Sequence, residues 1–173
     1  MEIWKNKVYK FYTNFVFKNG LLKYPLDILE ICKKMNINII EYDDSSKCCY
    51  ISKDGFSKFK NDKYYIFLNK NNSNNRKKFT ISHELGHIIL NHFKDNEPLI
   101  AHCNIDEQKE WEANMFARLL LAPPHITYKL DKKEISKKLK ISKQMSDIVF
   151  EYRKMDYNNL IDKVPKAYFK INI

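Results

Sequence analysis

Two histidines four residues apart, with a glutamate directly after the first, are the residues best suited to chemistry in this sequence. They are His83, Glu84 and His87, in the segment FTISHELGHIILNHF of residues 79–93. Residues four apart lie on one face of a helix, so the two imidazoles could bind one zinc ion. Glu84 would lie beside them, where its carboxylate could take a proton from a water molecule that the metal holds. The spacing therefore predicts a zinc-dependent hydrolytic site.

The apolar residues of the same segment support this interpretation. On a helical plot with Phe79 at 0°, they fill one arc from about 180° round to about 20°. His83 and His87 fall near ~40° and ~80°, and Glu84 near ~140°, all outside that arc. An anchored helix would hold both imidazoles rigidly; the alternative is an amphipathic helix with two surface histidines. His92 falls on the opposite side, so we expect a core residue or an outer partner there rather than a ligand.

A second helix is expected to supply the third protein ligand that a catalytic zinc requires. The segment DEQKEWEANMFARLLLAPP, residues 106–124, offers Glu110 and Glu112. Glu112 lies in the middle of the apolar arc of this helix, whereas Glu110 lies at its edge beside polar residues. A carboxylate directed into a core is costly unless it is paired or bound to metal. We therefore expect Glu112 to be the ligand; the alternative is a buried ion pair with a lysine or arginine.

Periodicity and helix and turn signals predict the elements that position these residues. The expected helices are residues 3–18, 25–35, 79–93, 106–121, 131–140 and 142–155. The expected strands are 37–42, 48–51 and 63–69, with a turn near Gly55 and a possible edge strand in the tail 164–173. The polar run 69–78 is expected to be a loop, with Asn74 or Asn75 capping the histidine helix. This pattern predicts one α+β domain.

Composition argues for a soluble, cytoplasmic protein. There is no signal-peptide core and no apolar run of the ~18 residues that a membrane-spanning helix requires. The four cysteines, Cys32, Cys48, Cys49 and Cys103, show neither a zinc-ribbon nor a disulfide spacing, so buried thiols are expected. The net charge is +10, but 28 of the 31 basic residues are lysines spread along the chain. Arginine is preferred for phosphate and base contacts, so the charge argues against direct nucleic-acid binding.

The combined motifs resemble one family of known proteins. The strand IFLN, Arg76 in the following loop, FTISHELGH and EANMFARLLLAP are similar to the pattern of the ImmA/IrrE zinc metallo-endopeptidases. The resemblance covers about residues 63–155; one departure is Ala122, where that family commonly has methionine before the proline. It implies a zincin-like domain with a small, mostly antiparallel sheet, an HExxH helix and a C-terminal helical segment. His83, His87 and Glu112 would then be the zinc ligands, and Glu84 the general base.

The predicted elements give an organisation, and the resemblance implies a substrate. Residues 1–62 would form N-terminal helices and strands, 63–124 the catalytic core, and 125–173 a helical, helix-turn-helix-like segment of a single domain. Some members of that family cleave a helix-turn-helix transcriptional repressor, often encoded on a mobile element. Such a repressor is therefore the expected protein partner. Two alternatives stay open: DNA binding through residues 135–154, and a zinc-binding fold that holds a protein partner without cleaving it.

Overall fold

The computed structural model describes residues 3–21, 23–93, 106–161 and 163. Within them, seven α-helices and three β-strands are formed. The helices are α1 (Ile3–Lys18), α2 (Ile28–Lys34), α3 (Asn74–Ile89), α4 (Glu107–Leu121), α5 (Pro124–Thr127), α6 (Lys132–Leu139) and α7 (Lys143–Leu160). The strands are β1 (Asn38–Tyr42), β2 (Gly55–Lys60) and β3 (Lys63–Asn69), and a 3-10 helix covers Lys47–Tyr50. The mixed α+β class expected from the sequence is confirmed.

The three strands form one sheet in the order β1-β3-β2. β3 pairs with β1 in parallel, with Ile39 opposite Ile66. It pairs with β2 antiparallel, with Ser57 opposite Ile66. Asn61 and Asp62 join β2 to β3 with positive φ angles of 51° and 57°, as a tight primed hairpin turn requires. The sheet is thus half parallel and half antiparallel, rather than mostly antiparallel.

Several segments differ from the sequence-based prediction. The polar run 69–78, predicted as a loop, is helical from Asn74 onward, because α3 begins there. Residues 48–51 are predicted as a strand, but 48–50 belong to the 3-10 helix Lys47–Tyr50 and Ile51 is its C-cap. The Ser46 side chain caps the start of this helix by accepting a hydrogen bond from the Cys48 backbone N–H at 3.2 Å. Gly55, near which a turn is predicted, follows bends at residues 53–54 and is the first residue of β2, a strand that is not predicted from the sequence. The possible edge strand at 164–173 lies outside the described residues.

Residue contacts divide the chain into two compact units, the first of which contains the sheet. This unit, Asp27–Ala117, includes β1, β2, β3, α2, α3 and most of α4. Helix α3 packs against β2 and β3, and α2 packs against α3 and β1. The buried Asn69 side chain donates hydrogen bonds to Asp44 Oδ1 at 2.7 Å and to the Lys53 carbonyl at 2.9 Å. Asn69 therefore ties the end of β3 to the two preceding loops.

The second unit is helical and comprises the described parts of Met1–Leu26 and Arg118–Ile173. Helix α7 packs against α5 and α6. The buried Asp156 accepts hydrogen bonds from the Tyr9 hydroxyl at 2.7 Å and from the Arg118 guanidinium. The single-domain organisation expected from the sequence stays a prediction. In the described part of the chain, every helix is too short or too polar to span a bilayer.

The cysteines of the described residues form no disulfide. Cys32 is buried, and burial raises the pKa of its thiol to about 12. Cys48 and Cys49 are half-buried. Cys103 lies outside the described residues. Cys32 thus fits the expected buried thiol, whereas Cys48 and Cys49 are more exposed than expected.

Candidate metal centre

Helix α3 carries the histidine motif and is fixed at its N-terminus. The Ser73 side chain caps it by accepting a hydrogen bond from the Arg76 backbone N–H at 3.3 Å, so neither Asn74 nor Asn75 is the cap. The Arg76 side chain pairs with Asp54, with Nε 2.8 Å from Oδ1, which links this end of the helix to the start of β2. The apolar face of α3 is buried, as the helical plot predicts.

Gly86 sets how closely α3 approaches α4. A Cβ atom at this position would lie 3.0 Å from both the Cα and the carbonyl oxygen of Ala113, and 3.3 Å from the Phe116 Cβ. These distances are shorter than ordinary van der Waals contacts, so only glycine fits without moving a neighbour. The close approach brings the first turns of α4 next to the histidines of α3.

The residue that α4 brings to the two histidines is Glu110. Its Oε2 lies 3.3 Å from His83 Nε2, and its Oε1 lies 3.3 Å from His87 Nε2. The two Nε2 atoms are 3.0 Å apart. One ligand atom from each of the three residues can be chosen so that all lie within 4.8 Å of one another, close enough to hold a metal ion.

Glu112, the ligand expected from the sequence, lies elsewhere. Its side chain is 1% exposed, and its Oε2 is 2.9 Å from His92 Nε2 rather than beside the His83–His87 pair. The helical plot correctly predicts that Glu112 is buried, but a buried carboxylate can be satisfied by a histidine as well as by a metal. The structure therefore brings Glu110, and not Glu112, to the histidine pair.

Glu84 is buried beside the cluster and is not part of it. Its carboxylate Oε2 accepts a hydrogen bond from the hydroxyl of Ser57, a fully buried residue of β2. The charge of Glu84 also acts on His83, where it favours the protonated imidazole. No sequence spacing connects Ser57 to the motif, because β2 reaches α3 only through the fold.

The second ring nitrogen of His83 also has a partner. Its Nδ1 lies 3.0 Å from Oδ1 of Asn114, which is four residues after Glu110 on α4. Residues four apart share a helix face, so the Glu110–Asn114 spacing was the sequence signal that both side chains point to the same place. A hydrogen bond from Nδ1–H to Asn114 leaves Nε2 of His83 with the lone pair that a metal ligand needs.

The electrostatics of the cluster suit a cation. Hydrogen bonds from His83 and then from His87 hold the pKa of the Glu110 carboxyl well below its usual range, so it is ionised at neutral pH. Burial disfavours the protonated form of His83, but the hydrogen bond with Glu110 and the charge of Glu84 outweigh it and raise the His83 pKa. Two imidazoles and one carboxylate are a donor set of catalytic zinc sites. The residues present therefore fit a divalent metal ion.

The comparison with protein families agrees with this geometry. Residues 32–148 match the Peptidase_M78 family model, described as the IrrE N-terminal-like domain. No curated protein matches the chain. The matched range includes the sheet, α3 and α4, and hence all the residues of the cluster. The family implies protease activity and a protein substrate. The chain belongs to the Peptidase_M78 family, the ImmA/IrrE metallopeptidases.

Proposed function

We propose that this protein is a zinc-dependent endopeptidase with His83, His87 and Glu110 as its metal ligands. The observation that carries the proposal is the convergence of both Nε2 atoms and the Glu110 carboxylate within 4.8 Å, on helices held together at Gly86. Among common metals, a His₂Glu donor set is typical of catalytic zinc. The Glu110 side chain is 39% exposed, so the cluster is accessible from the Glu110 side. We therefore propose Glu110 as the third metal ligand, in place of Glu112, which was expected from the sequence.

The protein's own residues would perform the proton transfers of peptide hydrolysis. A bound zinc ion would supply Lewis-acid chemistry, polarising a carbonyl and activating water near neutral pH. Glu84 is the general base: it receives the proton of the attacking water and returns it to the leaving amine. Ser57 holds one oxygen of Glu84 through its hydroxyl, so the carboxylate keeps one orientation. The buried surroundings of Glu84 keep bulk water away from it.

The proposed substrate is a helix-turn-helix transcriptional repressor. A cytoplasmic protease without selectivity would damage its own cell, so we infer that cleavage depends on docking. The docking surface is the basic surface of α6, defined by Lys132, Lys133, Lys137 and Lys138, all of which are exposed. Lys132 is paired with Asp147 at 3.0 Å. A partner with an acidic patch would be attracted to this surface, and the attraction would weaken as salt rises.

Co-expression with candidate repressors tests the substrate. We expect one repressor to be truncated by the wild-type chain and to stay intact with Glu84→Gln. Rapid cleavage of an unrelated unfolded protein such as casein would contradict the selectivity, although not the protease activity. If the chain cleaves no protein at all while it binds zinc, the endopeptidase proposal itself is wrong.

DNA binding by α6 and α7 is the second candidate function. The two helices follow each other closely, with Lys140 in a left-handed conformation at φ 52° and Ser142 capping α7. This resembles the connection in a helix-turn-helix unit. However, α7 presents Asp147 and Glu151, which would repel a phosphate backbone. An electrophoretic mobility shift on duplex DNA at physiological salt distinguishes the two: the protease proposal predicts no shift.

A further inference from the structure

Behind His87 lies a buried series of hydrogen-bonded side chains, those of His92, Glu112 and Gln108, that the proposed reaction does not use. His87 Nδ1 is 3.0 Å from His92 Nδ1, and His92 Nε2 is 2.9 Å from Glu112 Oε2. The other oxygen of Glu112 accepts a hydrogen bond from Gln108 Nε2 at 2.9 Å. His92 is 3% and Glu112 is 1% exposed, so these contacts lie away from bulk water.

The end of α3 places His92 against His87. Leu90 is the C-cap, and Asn91 adopts a left-handed conformation at φ 55°. The backbone N–H of Asn91 donates to the Ile88 carbonyl at 3.2 Å, and that of His92 donates to the His87 carbonyl at 3.0 Å. This pair of bonds is the Schellman motif, which reverses the chain at a helix end. His92 is therefore returned to the last turn of α3 instead of continuing round the helix axis.

The donors and acceptors of the hydrogen bonds from His87 through His92 to Glu112 can be assigned in one direction. A ligand imidazole must keep the lone pair on the nitrogen that faces the metal, which for His87 is Nε2. Its proton is then on Nδ1 and is donated to Nδ1 of His92. His92 must carry its own proton on Nε2, which is donated to the Glu112 carboxylate. Each bond in this arrangement has one donor and one acceptor, and the only charge in it is the buried carboxylate at its end.

We infer that Glu112 and His92 are positioning residues for metal binding: together they fix the tautomer and ring orientation of His87. This inference rests on the proposed metal site. Outer carboxylate and histidine partners of metal ligands typically change metal affinity by about 10- to 100-fold when they are removed. The contacts with His92 and Gln108 give the buried carboxylate at position 112 hydrogen-bond donors for both of its oxygens.

Zinc dissociation constants, measured by chelator competition, test the inference. The variants are the isosteric pair Glu110→Gln and Glu112→Gln, together with His92→Gln. We expect Glu112→Gln and His92→Gln each to weaken zinc binding by about 10- to 100-fold. Glu110→Gln should weaken it more than either, because it removes a ligand. Asn75→Ala is the control: Asn75 is exposed in the first turn of α3, so zinc binding should be unchanged.

Two further measurements separate positioning from general destabilisation. The double variant His92→Gln/Glu112→Gln should bind zinc no more weakly than the single variant with the lower zinc affinity, because the two residues act as one unit. The visible spectrum of the cobalt-substituted protein should keep its intensity in Glu112→Gln and His92→Gln and should change in Glu110→Gln. If Glu112→Gln does not fold, His92→Gln and its cobalt spectrum still give the result.

The outcomes that would overturn the inference are distinct. Zinc affinity within about twofold of the wild type in both Glu112→Gln and His92→Gln would show that His92 and Glu112 do not position His87. A cobalt spectrum altered in Glu112→Gln as in Glu110→Gln would make Glu112 a direct ligand. If the wild type binds zinc, the first result leaves the proposed metal site intact, and the second adds Glu112 to its ligands. A wild type that binds no zinc would overturn the proposed function and the inference together.

Discussion

At the scale of single residues, three glutamates near the histidine pair have three different partners. Glu110 contacts the imidazoles of His83 and His87, Glu84 accepts a hydrogen bond from Ser57, and Glu112 contacts His92. A carboxylate's partners determine what it can do: the first can hold a metal, the second can move a proton, and the third can orient a neighbouring ring.

Replacing Glu84 tests its role as the general base. Glu84→Gln removes the proton acceptor but keeps the size of the side chain, and Glu84 lies outside the ligand cluster. We expect zinc content to be unchanged and hydrolysis to fall by at least about 100-fold, the usual contribution of a general base. Zinc content and turnover should be measured on the same sample. Turnover within a few-fold of the wild type would contradict the role, as would loss of zinc with turnover restored when zinc is added.

Replacing Asn114, the hydrogen-bond partner of His83, should weaken zinc binding less than replacing a ligand does. Asn114 is exposed, so in Asn114→Ala a water molecule can replace its hydrogen bond to His83 Nδ1. We expect zinc affinity to fall by less than about tenfold, at the low end of the usual range for outer partners. The same chelator competition measures it. A loss as large as that of Glu110→Gln would mean that Asn114 does more than orient the ring.

The sequence predicts that His83 and His87 lie together on α3, but it does not predict which glutamate of α4 lies beside them, for one physical reason. The spacing of His83 and His87 within one helix fixes their common face. The choice between Glu110 and Glu112 depended instead on assuming that a buried carboxylate of α4 binds the metal. Glu112 is buried, as its place in the apolar arc predicts, but its Oε2 lies 2.9 Å from His92 Nε2. A metal ligand must also face a site that substrate can reach, which favours the edge of the arc over its centre.

At the scale of secondary-structure elements, the approach of α3 to α4 is the most specific requirement. Gly86→Ala would place a methyl group 3.0 Å from Ala113 atoms. We expect a loss of about 1–3 kcal/mol in the free energy of unfolding, typical of overpacking, together with weaker zinc binding. Urea unfolding and zinc titration measure the two effects. In an unconstrained helix, alanine would instead stabilise by about 0.5–1 kcal/mol, and that result would contradict the close approach.

A matched control for Gly86→Ala lies on the same helix. Asn75 is exposed in the first turn of α3, away from α4 contacts at Gly86. Asn75→Ala should change the free energy of unfolding by no more than about 0.5 kcal/mol, as surface substitutions usually do. Zinc affinity should be unchanged.

Helix α5 contains a histidine whose burial makes stability depend on pH. Burial lowers the pKa of His125 to about 4, and its ring packs edge-on against Tyr24 at 6.0 Å between centroids. The unfolded chain takes up this proton near pH 6.5, so between about 6.5 and 4 it binds more protons than the folded chain. The stabilisation is thus fully present above pH 6.5 and is lost as the pH falls toward 4. From pH 7 to 5 we expect a loss of about 1–2 kcal/mol.

The difference between the wild type and His125→Phe isolates this effect from other groups. Phenylalanine keeps an aromatic ring next to Tyr24 but cannot be protonated. The free energy of unfolding in urea, compared at pH 7 and pH 5, should fall less in His125→Phe than in the wild type. An equal fall in both proteins would show that His125 does not contribute.

Element prediction succeeded where periodicity was long and failed where segments were short. The predicted helix 3–18 coincides with α1, Ile3–Lys18, because an apolar stripe repeated over four turns leaves no other regular structure. Residues 48–51 have too few residues to distinguish a strand from a short helix, and the Ser46 cap decided between them. The β2–β3 hairpin had a usable signal, Asn61-Asp62 between two aromatic-rich runs, because both residue types tolerate positive φ.

At the scale of the whole molecule, the family match and the charge distribution address different questions. The match over residues 32–148 gives the reaction class, whereas selectivity is proposed to come from the basic surface of α6. Lys137→Glu/Lys138→Glu should slow cleavage of the docked repressor and reduce its dependence on salt. Initial rates at low and physiological ionic strength measure both effects. Cleavage of a short peptide that spans the same bond should be unaffected.

Two lysines of α1 provide the control for charge alone. Lys10 and Lys18 are exposed, and Lys10→Glu/Lys18→Glu changes the net charge by the same amount. If the α6 surface is the docking site, only the α6 variant slows repressor cleavage. An equal effect of both variants would mean that overall charge, rather than this surface, controls the encounter.

The zinc content of the purified protein tests the central claim most directly. Metal analysis by mass spectrometry should be made on the wild type, Glu84→Gln and Glu110→Gln, purified in parallel without added chelator. We predict about one zinc ion per chain in the wild type and in Glu84→Gln, and a large loss in Glu110→Gln. A wild-type protein that carries no zinc and takes up none when it is supplied would contradict the account.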